Sequence, residues 1–305
     1  MSRVAVVKYT SRSRSFLKKE EYEMLLRSGL NLLAEDRGHV GFLKRLIPKG
    51  TIGLKANCLA AWNPTLIPIV KALAGILTEA VGVDDNNIVL WERTSRELKR
   101  AGHELNASAF GRRCLGTDAN GVGYDDDFQS SGNVNSLVTR ILTRMVDHSI
   151  NLPILKDHSI AGLSAGLKNM YGAIHNPNKY HAGNCSPSAA HINNLNTIRD
   201  KHRLTIIDAV RVQYDRGPGF DKKYLTYFDG IILSSDPVAA DRVALEVLEN
   251  LRRENGLPSL AEAGRPVRYL AEAEKLGLGK AKLKDIDLRV SYIDGNGAEK
   301  SGELF

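Results

Sequence analysis

The chain has 305 residues, of which 43% are hydrophobic and 25% are charged, and its formal net charge is +7. These proportions are ordinary for a soluble globular protein and argue against a disordered chain. Apolar runs fall well short of the ~20 residues that span a bilayer, and the basic residues are scattered along the chain, so we expect neither a membrane partner nor a nucleic-acid partner.

The first residues, MSRVAVVKYT, lead directly into a strand-like run. They do not read as a secretory signal peptide, although a removed signal would leave the same appearance. We therefore expect a cytoplasmic protein if the chain starts as written, and a periplasmic one if an export signal has been removed.

Three cysteines, Cys58, Cys114 and Cys185, are spread widely over the chain. Their number is odd and they form no C-x-x-C pair, which is the spacing typical of metal and redox sites. We therefore expect neither a disulfide framework nor a metal site built from cysteines.

Strand-like and helix-like segments alternate along the first hundred residues. The predicted strands are 3–9, 51–56 and 87–91, and the predicted helices are 19–35, one from Asn63 and Pro64 to about Val81, and a short one opened by a capping box at Thr94 to Glu97. This alternation predicts an α/β fold with a largely parallel sheet covered by helices on both faces, in three layers.

From Asn106 to Asn135 the alternation fails, and the segment GTDANGVGYDDDFQSSGN has little apolar content. A stretch of that length without periodicity is unusual in a compact domain. It reads equally well as a functional loop or lid and as a mobile surface insertion. We expect residues 1–305 to form a single α/β domain, or two lobes joined around 107–135.

The alternation resumes after residue 136. The predicted strands are 137–142, 149–155, 204–210 and 229–234, and the predicted helices are 160–174, 187–199 and one from Asp236 and Pro237 to about Arg253. The sequence shows no internal repeat and no low-complexity tract.

The segment GLSAG, from Gly162 to Gly166, matches the G-x-S-x-G motif of hydrolases with a nucleophilic serine. That motif requires the serine to lie on a tight turn directly after a strand. Here apolar residues repeat at helical spacing through the motif, at Ile160, Leu163, Leu167, Met170 and Ile174. The order Ser, Asp, His also fails. The sequence therefore places Ser164 inside a helix and predicts that it is not a nucleophile.

Small residues form two faces of this predicted helix, one shared with Lys168 and one with Asn169. The members are Ala161, Ala165 and Gly172 on the first face and Gly162, Gly166 and Ala173 on the second. Such faces let a ligand or another backbone come close, and tight packing of a helix on a sheet explains them equally well. His158 and His181 bracket the helix, but their spacing is not that of a zinc protease.

Polar and charged side chains follow five of the predicted strands. They are Lys55 and Asn57, Glu92 and Arg93, Lys156 and His158, Asp208, and Ser235 and Asp236. In parallel sheets, ligands bind outside the carboxyl ends of the strands. Each residue has a simple alternative interpretation as part of a loop or as a helix cap, but together they predict one polar site at this edge.

Several motifs occur in a fixed order: KAN after the second strand, INLPILKDH, GLKNMYGAI, KYH, LTIIDAV and SSDPVAADRV. In these motifs, over about residues 4–280, the chain resembles the bacterial and archaeal family catalogued as domain of unknown function 362. The resemblance implies an α/β enzyme or a ligand-binding domain. Many members of that family carry a twin-arginine export signal, and it often has Lys-Pro-Asn where this chain has Lys55, Ala56 and Asn57.

Some members of the same family also carry a ferredoxin-like cysteine segment. This chain lacks the C-x-x-C-x-x-C run that such a segment needs, so we expect no iron–sulfur cluster. Any bound metal is expected to be a divalent ion held mainly by oxygen atoms.

From these residues we predict a small-molecule enzyme that acts on a carboxylate- or phosphate-bearing substrate, with a divalent metal as a candidate cofactor. Catalytic roles are assigned to His158, His181 and Lys168. Anion binding is assigned to Lys55, Asn57, Lys156 and Asn169, and metal binding to Glu92, Asp208 and Asp241. The alternative is a non-catalytic ligand- or cofactor-binding protein that uses the same pocket.

The predicted helix also bears on the shape of the substrate. Lys168 lies about two turns from its start, roughly 12 to 14 Å by helical rise. That distance predicts an extended substrate lying along the helix rather than a single inorganic ion. The sequence leaves the reaction, the substrate and the oligomeric state open.

Overall fold

The computed structural model describes residues 1–10, 16–34 and 37–304. The strands are β1 (Ser2–Tyr9), β2 (Ile52–Lys55), β3 (Ile88–Glu92), β4 (Arg113–Gly116), β5 (Tyr124–Ser131), β6 (Val134–Thr139), β7 (His148–Asn151), β8 (Ile154–His158), β9 (Gly162–Ser164), β10 (His202–Gln213), β11 (Leu225–Tyr227), β12 (Gly230–Ser234), β13 (Ile286–Ile293) and β14 (Glu299–Ser301). The α-helices are α1 (Lys19–Ala34), α2 (Gly38–Leu46), α3 (Ile67–Val81), α4 (Ser95–Arg100), α5 (Gly166–Asn169), α6 (Ser188–Asn193), α7 (Asn196–Lys201), α8 (Pro237–Glu254) and α9 (Tyr269–Lys275).

One mixed sheet, mostly parallel, forms the centre of the fold, with the strand order β14-β13-β1-β12-β10-β7-β2-β3-β4. The run from β10 through β7, β2 and β3 to β4 is parallel, whereas β12 is antiparallel to both of its neighbours. Strand β8 adds to β10 in parallel, and β9 returns antiparallel to β8. The predicted α/β fold with a largely parallel sheet is confirmed.

Each face of the sheet has its own hydrophobic core, because successive side chains of a strand point to opposite faces. In β1, Val4 and Val6 belong to one core, and Ala5 and Val7 belong to the other. Buried residues of α1, α2 and α3 complete the second core, and those of α8 and α9 complete the first. None of the described helices combines the length and apolar character needed to cross a membrane.

The long helix α8 begins where the sequence predicts. The Asp236 carboxylate accepts hydrogen bonds from the backbone N–H groups of Val238 and Ala239 at 2.9 and 2.8 Å, and Pro237 occupies the first turn. Both features are typical of a helix start, since the carboxylate satisfies N–H groups that lack a partner within the helix. The predicted cap at Asp236 is confirmed.

Two predictions about single elements are wrong. Helix α3 begins at Ile67 rather than after Asn63, because the Asn63 side chain bonds Arg211 instead of capping a helix. The single helix predicted at 187–199 is two short helices, α6 and α7. The segment 106–135, in which the sequence shows no periodicity, contains strand β4 and most of a β5–β6 hairpin.

The helix predicted at 160–174 is also wrong, and this error affects the site. The chain leaves β8, turns through Gly162 and returns as β9, so that Lys156 lies opposite Ser164. Gly162 has a φ of +74°, and a Cβ there would lie 2.4 Å from the Arg265 carbonyl oxygen. Only glycine tolerates both conditions. The short helix α5 and a 3₁₀ turn over 170–173 follow.

Candidate functional site

A cavity of about 210 Å³ opens beside the carboxyl ends of β2, β3 and β8. Because these strands are linked through a mostly parallel sheet, side chains that follow them reach one edge. Most of the predicted site residues line this cavity: Asn57, Glu92, Lys156, His158, Lys168, Asn169 and His181. Lys55, Asp208 and Asp241 are not among the residues that line it.

The cavity contains two buried lysines. Lys156 is 3% exposed, and its Nζ donates a hydrogen bond to Asn57 Oδ1 at 2.9 Å. Lys168 is 8% exposed, with its Nζ 3.0 Å from His181 Nε2 and 3.6 Å from the centre of the Tyr171 ring. Burial lowers the pKa of each lysine to about 8, because it disfavours the charged form. Within the described ranges, neither ammonium group forms an ion pair with a carboxylate.

A chain of three asparagines lies behind these lysines. Asn57 Nδ2 donates to Asn169 Oδ1 at 3.0 Å, and Asn169 Nδ2 donates to Asn151 Oδ1 at 2.7 Å. Asn151 Nδ2 in turn donates to the Gly166 carbonyl oxygen at 2.8 Å. These bonds fix the orientation of each amide, so Asn57 presents its oxygen to Lys156. The three asparagines therefore position Lys156 without adding a negative charge.

His158 is held as a neutral ring. Its Nδ1 accepts hydrogen bonds from the backbone N–H groups of Ile160 and Ala161 at 3.1 and 3.2 Å. A nitrogen that accepts two bonds carries no proton, so the ring proton lies on Nε2. Burial, followed by the positive charge of Lys168, lowers the pKa of His158 to about 3. At neutral pH this residue is therefore a hydrogen-bond donor through Nε2.

His181 carries its ring proton on the other nitrogen from His158. Its Nδ1 lies 3.2 and 3.3 Å from the carbonyl oxygens of Pro177 and Asn178, so Nδ1 carries the proton and donates. Its Nε2 is then free of a proton and accepts from the Lys168 ammonium group. Burial, followed by the nearby Lys168, lowers the pKa of His181. The His158 and His181 rings stack with their centres 6.0 Å apart.

Lys55 differs from the other two lysines because it has a carboxylate partner. Its Nζ lies 3.1 Å from Glu92 Oε1 and donates to the Ala56 carbonyl oxygen at 2.6 Å. Gly172 packs so closely that a Cβ there would lie 2.9 Å from Lys55 Cε. The sequence predicted Lys55 as an anion ligand, but in the structure it is fully buried and neutralises Glu92.

The structure does not bring together the three predicted metal ligands, Glu92, Asp208 and Asp241. Asp208 accepts from the Tyr22 hydroxyl at 2.7 Å, whereas Asp241 accepts from the N–H groups of Gly166 and Leu167 at 2.6 and 2.9 Å. Tyr22 belongs to one core and Leu167 to the other, so the two aspartates bond to elements on opposite faces of the sheet. Throughout residues 1–10, 16–34 and 37–304, no three His, Cys, Asp or Glu side chains form a group that could hold a metal.

Ser164 occupies a position that the sequence did not predict. It ends β9, is separated from α5 by Ala165 alone and lines the cavity, which is the strand–turn–helix setting of a nucleophilic serine. A nucleophilic serine also needs a base bonded to its hydroxyl and free backbone N–H groups beside it, and the described residues provide neither. The Ser164 hydroxyl forms no hydrogen bond with a basic side chain among them, and Asp241 already binds the N–H groups of Gly166 and Leu167.

Sequence reasoning missed Asn151, which connects the amide chain to α5. The predicted strand 149–155 merges β7 and β8, and this hid the strand end at which Asn151 lies. A break before Pro153 was the available signal, because proline lacks the N–H that a central strand needs. Tyr171 was also missed, although its ring lies directly below the Lys168 ammonium group.

Comparison with known proteins gives a family and a distant structural similarity. A sequence model of the family described as "Domain of unknown function (DUF362)" matches residues 52–246. A search of curated proteins found no match. Among solved structures, the chain is similar to a protein from Thermotoga maritima whose crystal structure was determined by the Northeast Structural Genomics Consortium. The two share 12% identity with a TM-score of 0.42, and the similarity covers 78% of this chain but only 59% of that protein.

Proposed function

We propose that this chain, which belongs to the family described as domain of unknown function DUF362, is a small-molecule enzyme that binds a carboxylate- or phosphate-bearing substrate. One observation carries the proposal: Lys156 and Lys168 line the same cavity without a described carboxylate partner. Removing a charge from water is costly unless an opposite charge compensates for it. An anion in the cavity would supply that compensation.

The anion would contact both ammonium groups and the Nε2–H group of His158. Hydrogen bonds between charged groups are shorter and stronger than those between neutral groups. Asn57 and Asn169 would orient the site through the amide chain rather than bind the anion themselves. Glu92 also lines the cavity, where Lys55 behind it would neutralise its charge.

Lys168 and His181 are the pair best suited to move a proton. The pKa of Lys168 is about 8, close enough to neutrality for the lysine to give or take a proton. The neutral His181 Nε2 lies 3.0 Å away and can accept that proton. His158, with a pKa of about 3, would stay neutral and polarise the substrate through its N–H group. The proposal assigns no role to a metal.

Titration with inorganic phosphate and with acetate at pH 7 tests the anion site by calorimetry. Losing a hydrogen bond to a charged group costs about 1.5–3 kcal/mol, so Lys156→Met or Lys168→Met should weaken binding by about 10- to 150-fold. Lys71→Met is the matched control, because Lys71 is exposed on α3. The proposal fails if neither anion binds, or if the control weakens binding as much as the cavity variants do.

Turnover separates an enzyme from a binding protein. The protein is incubated with a mixture of small carboxylic acids and phosphate esters, and the products are followed by mass spectrometry. Conversion that disappears in Lys168→Met supports catalysis, because this variant keeps most of the side-chain volume and removes the ammonium group. Tight binding without conversion would favour a non-catalytic protein that uses the same cavity.

A further inference from the structure

Apolar side chains surround one side of the cavity mouth. We call the group formed by Leu59, Trp62, Pro218 and Phe220 the apolar rim. Leu59 and Pro218 line the cavity itself, and the centres of the Trp62 and Phe220 rings lie 5.4 Å apart. Leu59 is 58% exposed and Phe220 is 57% exposed. The rim therefore presents apolar surface to water next to a site built for an anion.

Hydrogen bonds hold the Trp62 side of the rim in place. The Trp62 Nε1–H group donates to the Pro218 carbonyl oxygen at 3.0 Å and links the two loops that form the rim. The Trp62 carbonyl oxygen in turn accepts from Arg211 Nη2 at 2.7 Å. The Trp62 ring is thus positioned by contacts at both its side chain and its backbone.

Hydrogen bonds also hold the loop that carries Pro218, on the other side of the rim. Gly217 N donates to Asp157 Oδ2 at 2.8 Å, and Gln213 Nε2 donates to the Gly219 carbonyl oxygen at 2.6 Å. The loop lies so close to β8 that a Cβ at Gly217 would be 1.9 Å from the Asp157 carbonyl oxygen. Two loops are therefore cross-linked in an arrangement that keeps apolar groups exposed.

Fixed, exposed apolar groups beside a cavity are a feature of ligand-binding sites. A side chain that is already ordered loses little entropy when a ligand covers it, so its burial contributes to affinity. The rim adjoins the cavity through Leu59 and Pro218, which border both. A ligand whose anionic group enters the cavity would have its remaining atoms beside this rim.

We infer that the substrate is amphiphilic, with its carboxylate or phosphate between Lys156 and Lys168 and an apolar chain or ring on the apolar rim. The inference rests on the proposed function, since it takes the anion site as its starting point. It narrows the substrate class from small anions in general to those with an apolar substituent.

The test is a calorimetric titration with inorganic phosphate and with methyl, butyl and octyl phosphate, each below its micellar concentration. Burying a methylene group contributes about 0.8 kcal/mol, or about fourfold in affinity, so partial burial on the rim should give about two- to fourfold per methylene. Tryptophan fluorescence provides a second readout of where the ligand binds. The protein has two tryptophans, of which Trp91 is fully buried and Trp62 lies on the apolar rim, so a ligand on the rim should change the emission of Trp62.

Variants of the apolar rim show whether the alkyl chain of the ligand lies on it. Leu59→Asn and Phe220→Ser should each reduce the ratio of octyl phosphate affinity to inorganic phosphate affinity by about threefold to tenfold. Phe110→Ser is the matched control, because Phe110 is 85% exposed and lies outside the cavity lining. Octyltrimethylammonium, which has the same chain and the opposite charge, should not bind.

Affinity that rises with chain length and falls in Phe220→Ser but not in Phe110→Ser supports the inference. If inorganic phosphate binds but a longer alkyl chain adds no affinity, the inference is overturned while the proposed function stands. Binding of octyltrimethylammonium as tight as that of octyl phosphate also overturns it, because the alkyl chain would then bind without the anion site. If acetate binds but neither inorganic phosphate nor any alkyl phosphate does, the inference is overturned while the proposed function stands. If acetate, inorganic phosphate and all the alkyl phosphates fail to bind, the proposed function fails and the inference fails with it.

Discussion

Replacing Lys156 with methionine should stabilise the protein at pH 7 while weakening its binding of anions. Lys156 is almost completely buried, and desolvation lowers its pKa from 10.5 to about 8. At about 1.4 kcal/mol per pKa unit, the ionised side chain destabilises the fold by about 3 kcal/mol. Methionine removes this cost but also removes the hydrogen bond to Asn57, worth about 1 kcal/mol. We therefore expect a net gain of about 2 kcal/mol.

The gain should depend on pH in a defined direction. The pKa of Lys156 is lower in the folded state than in the unfolded state, so its cost is fully present below about pH 8. As the pH rises from about 8 towards 10.5, the folded protein releases the proton that the unfolded chain still holds, and the cost disappears. The stability advantage of Lys156→Met should therefore shrink over that range. Other groups that titrate there affect both proteins and cancel in the difference.

Urea denaturation of the parent and of Lys156→Met at pH 7, 8.5 and 10 measures this difference. Lys71→Met serves as the control, because the exposed Lys71 should give a difference that does not vary with pH. A variant less stable than the parent at pH 7 would refute the reasoning. A difference that stays constant from pH 7 to 10 would show that Lys156 carries no cost of burial.

A fluorophosphonate probe should leave Ser164 unlabelled, because none of the described basic side chains bonds its hydroxyl and Asp241 occupies the neighbouring N–H groups; stoichiometric labelling would contradict this. Gly166→Ala should lower the free energy of unfolding by about 1–3 kcal/mol, since a Cβ would lie 2.8 Å from Asp241 Oδ1 and 3.0 Å from Thr205 Cγ2; an unchanged urea midpoint would argue against it. Burial raises the pKa of Asp241 to about 7, so the stability of the parent relative to Asp241→Asn should increase as the pH falls from 7 to 4, and a decrease would count against the assignment. Anaerobically purified protein should show no iron–sulfur absorption band, and elemental analysis of the same sample tests for the divalent metal predicted from the sequence.

The grouping of candidate residues at one edge of the sheet could be predicted because it follows from topology. Residues after parallel strands reach one edge of a sheet whatever the detailed packing. Asn57 follows β2, Glu92 ends β3 and Lys156 lies within β8, and all three line the cavity. Strand positions were readable from short apolar runs, so the sequence was sufficient to place these residues together.

The pairing of the side chains could not be predicted in the same way. Lys55 and Glu92 end neighbouring strands, and their ion pair depends on a register in which Lys55 lies opposite Trp91. Nothing in the local sequence distinguishes Lys55, which is neutralised, from Lys156, which keeps its charge. That distinction depends on distances between strands, which no local pattern encodes.

The false helix at 160–174 has a different cause. Leu163, Leu167 and Met170 are all buried, but they lie in a strand, a single helical turn and a 3₁₀ turn. Spacings of three and four residues arose from the succession of these elements rather than from one amphipathic face. A stretch of alternating short elements can therefore imitate helical periodicity. Gly162 was the local signal against a helix, because glycine is the second poorest helix former after proline.

The positive charges of the two cavity lysines are not balanced by a described carboxylate, because the groups that bond them are neutral. Lys55 shows that this fold can place a carboxylate beside a buried lysine, since Glu92 Oε1 lies 3.1 Å from Lys55 Nζ. Lys156 and Lys168 instead bond to the Asn57 amide and the His181 ring, which accept a hydrogen bond without cancelling a positive charge. The cost of burial therefore remains within the described part of the chain, and the proposed anion would offset it. Retaining such a cost is characteristic of functional sites, where activity takes precedence over stability.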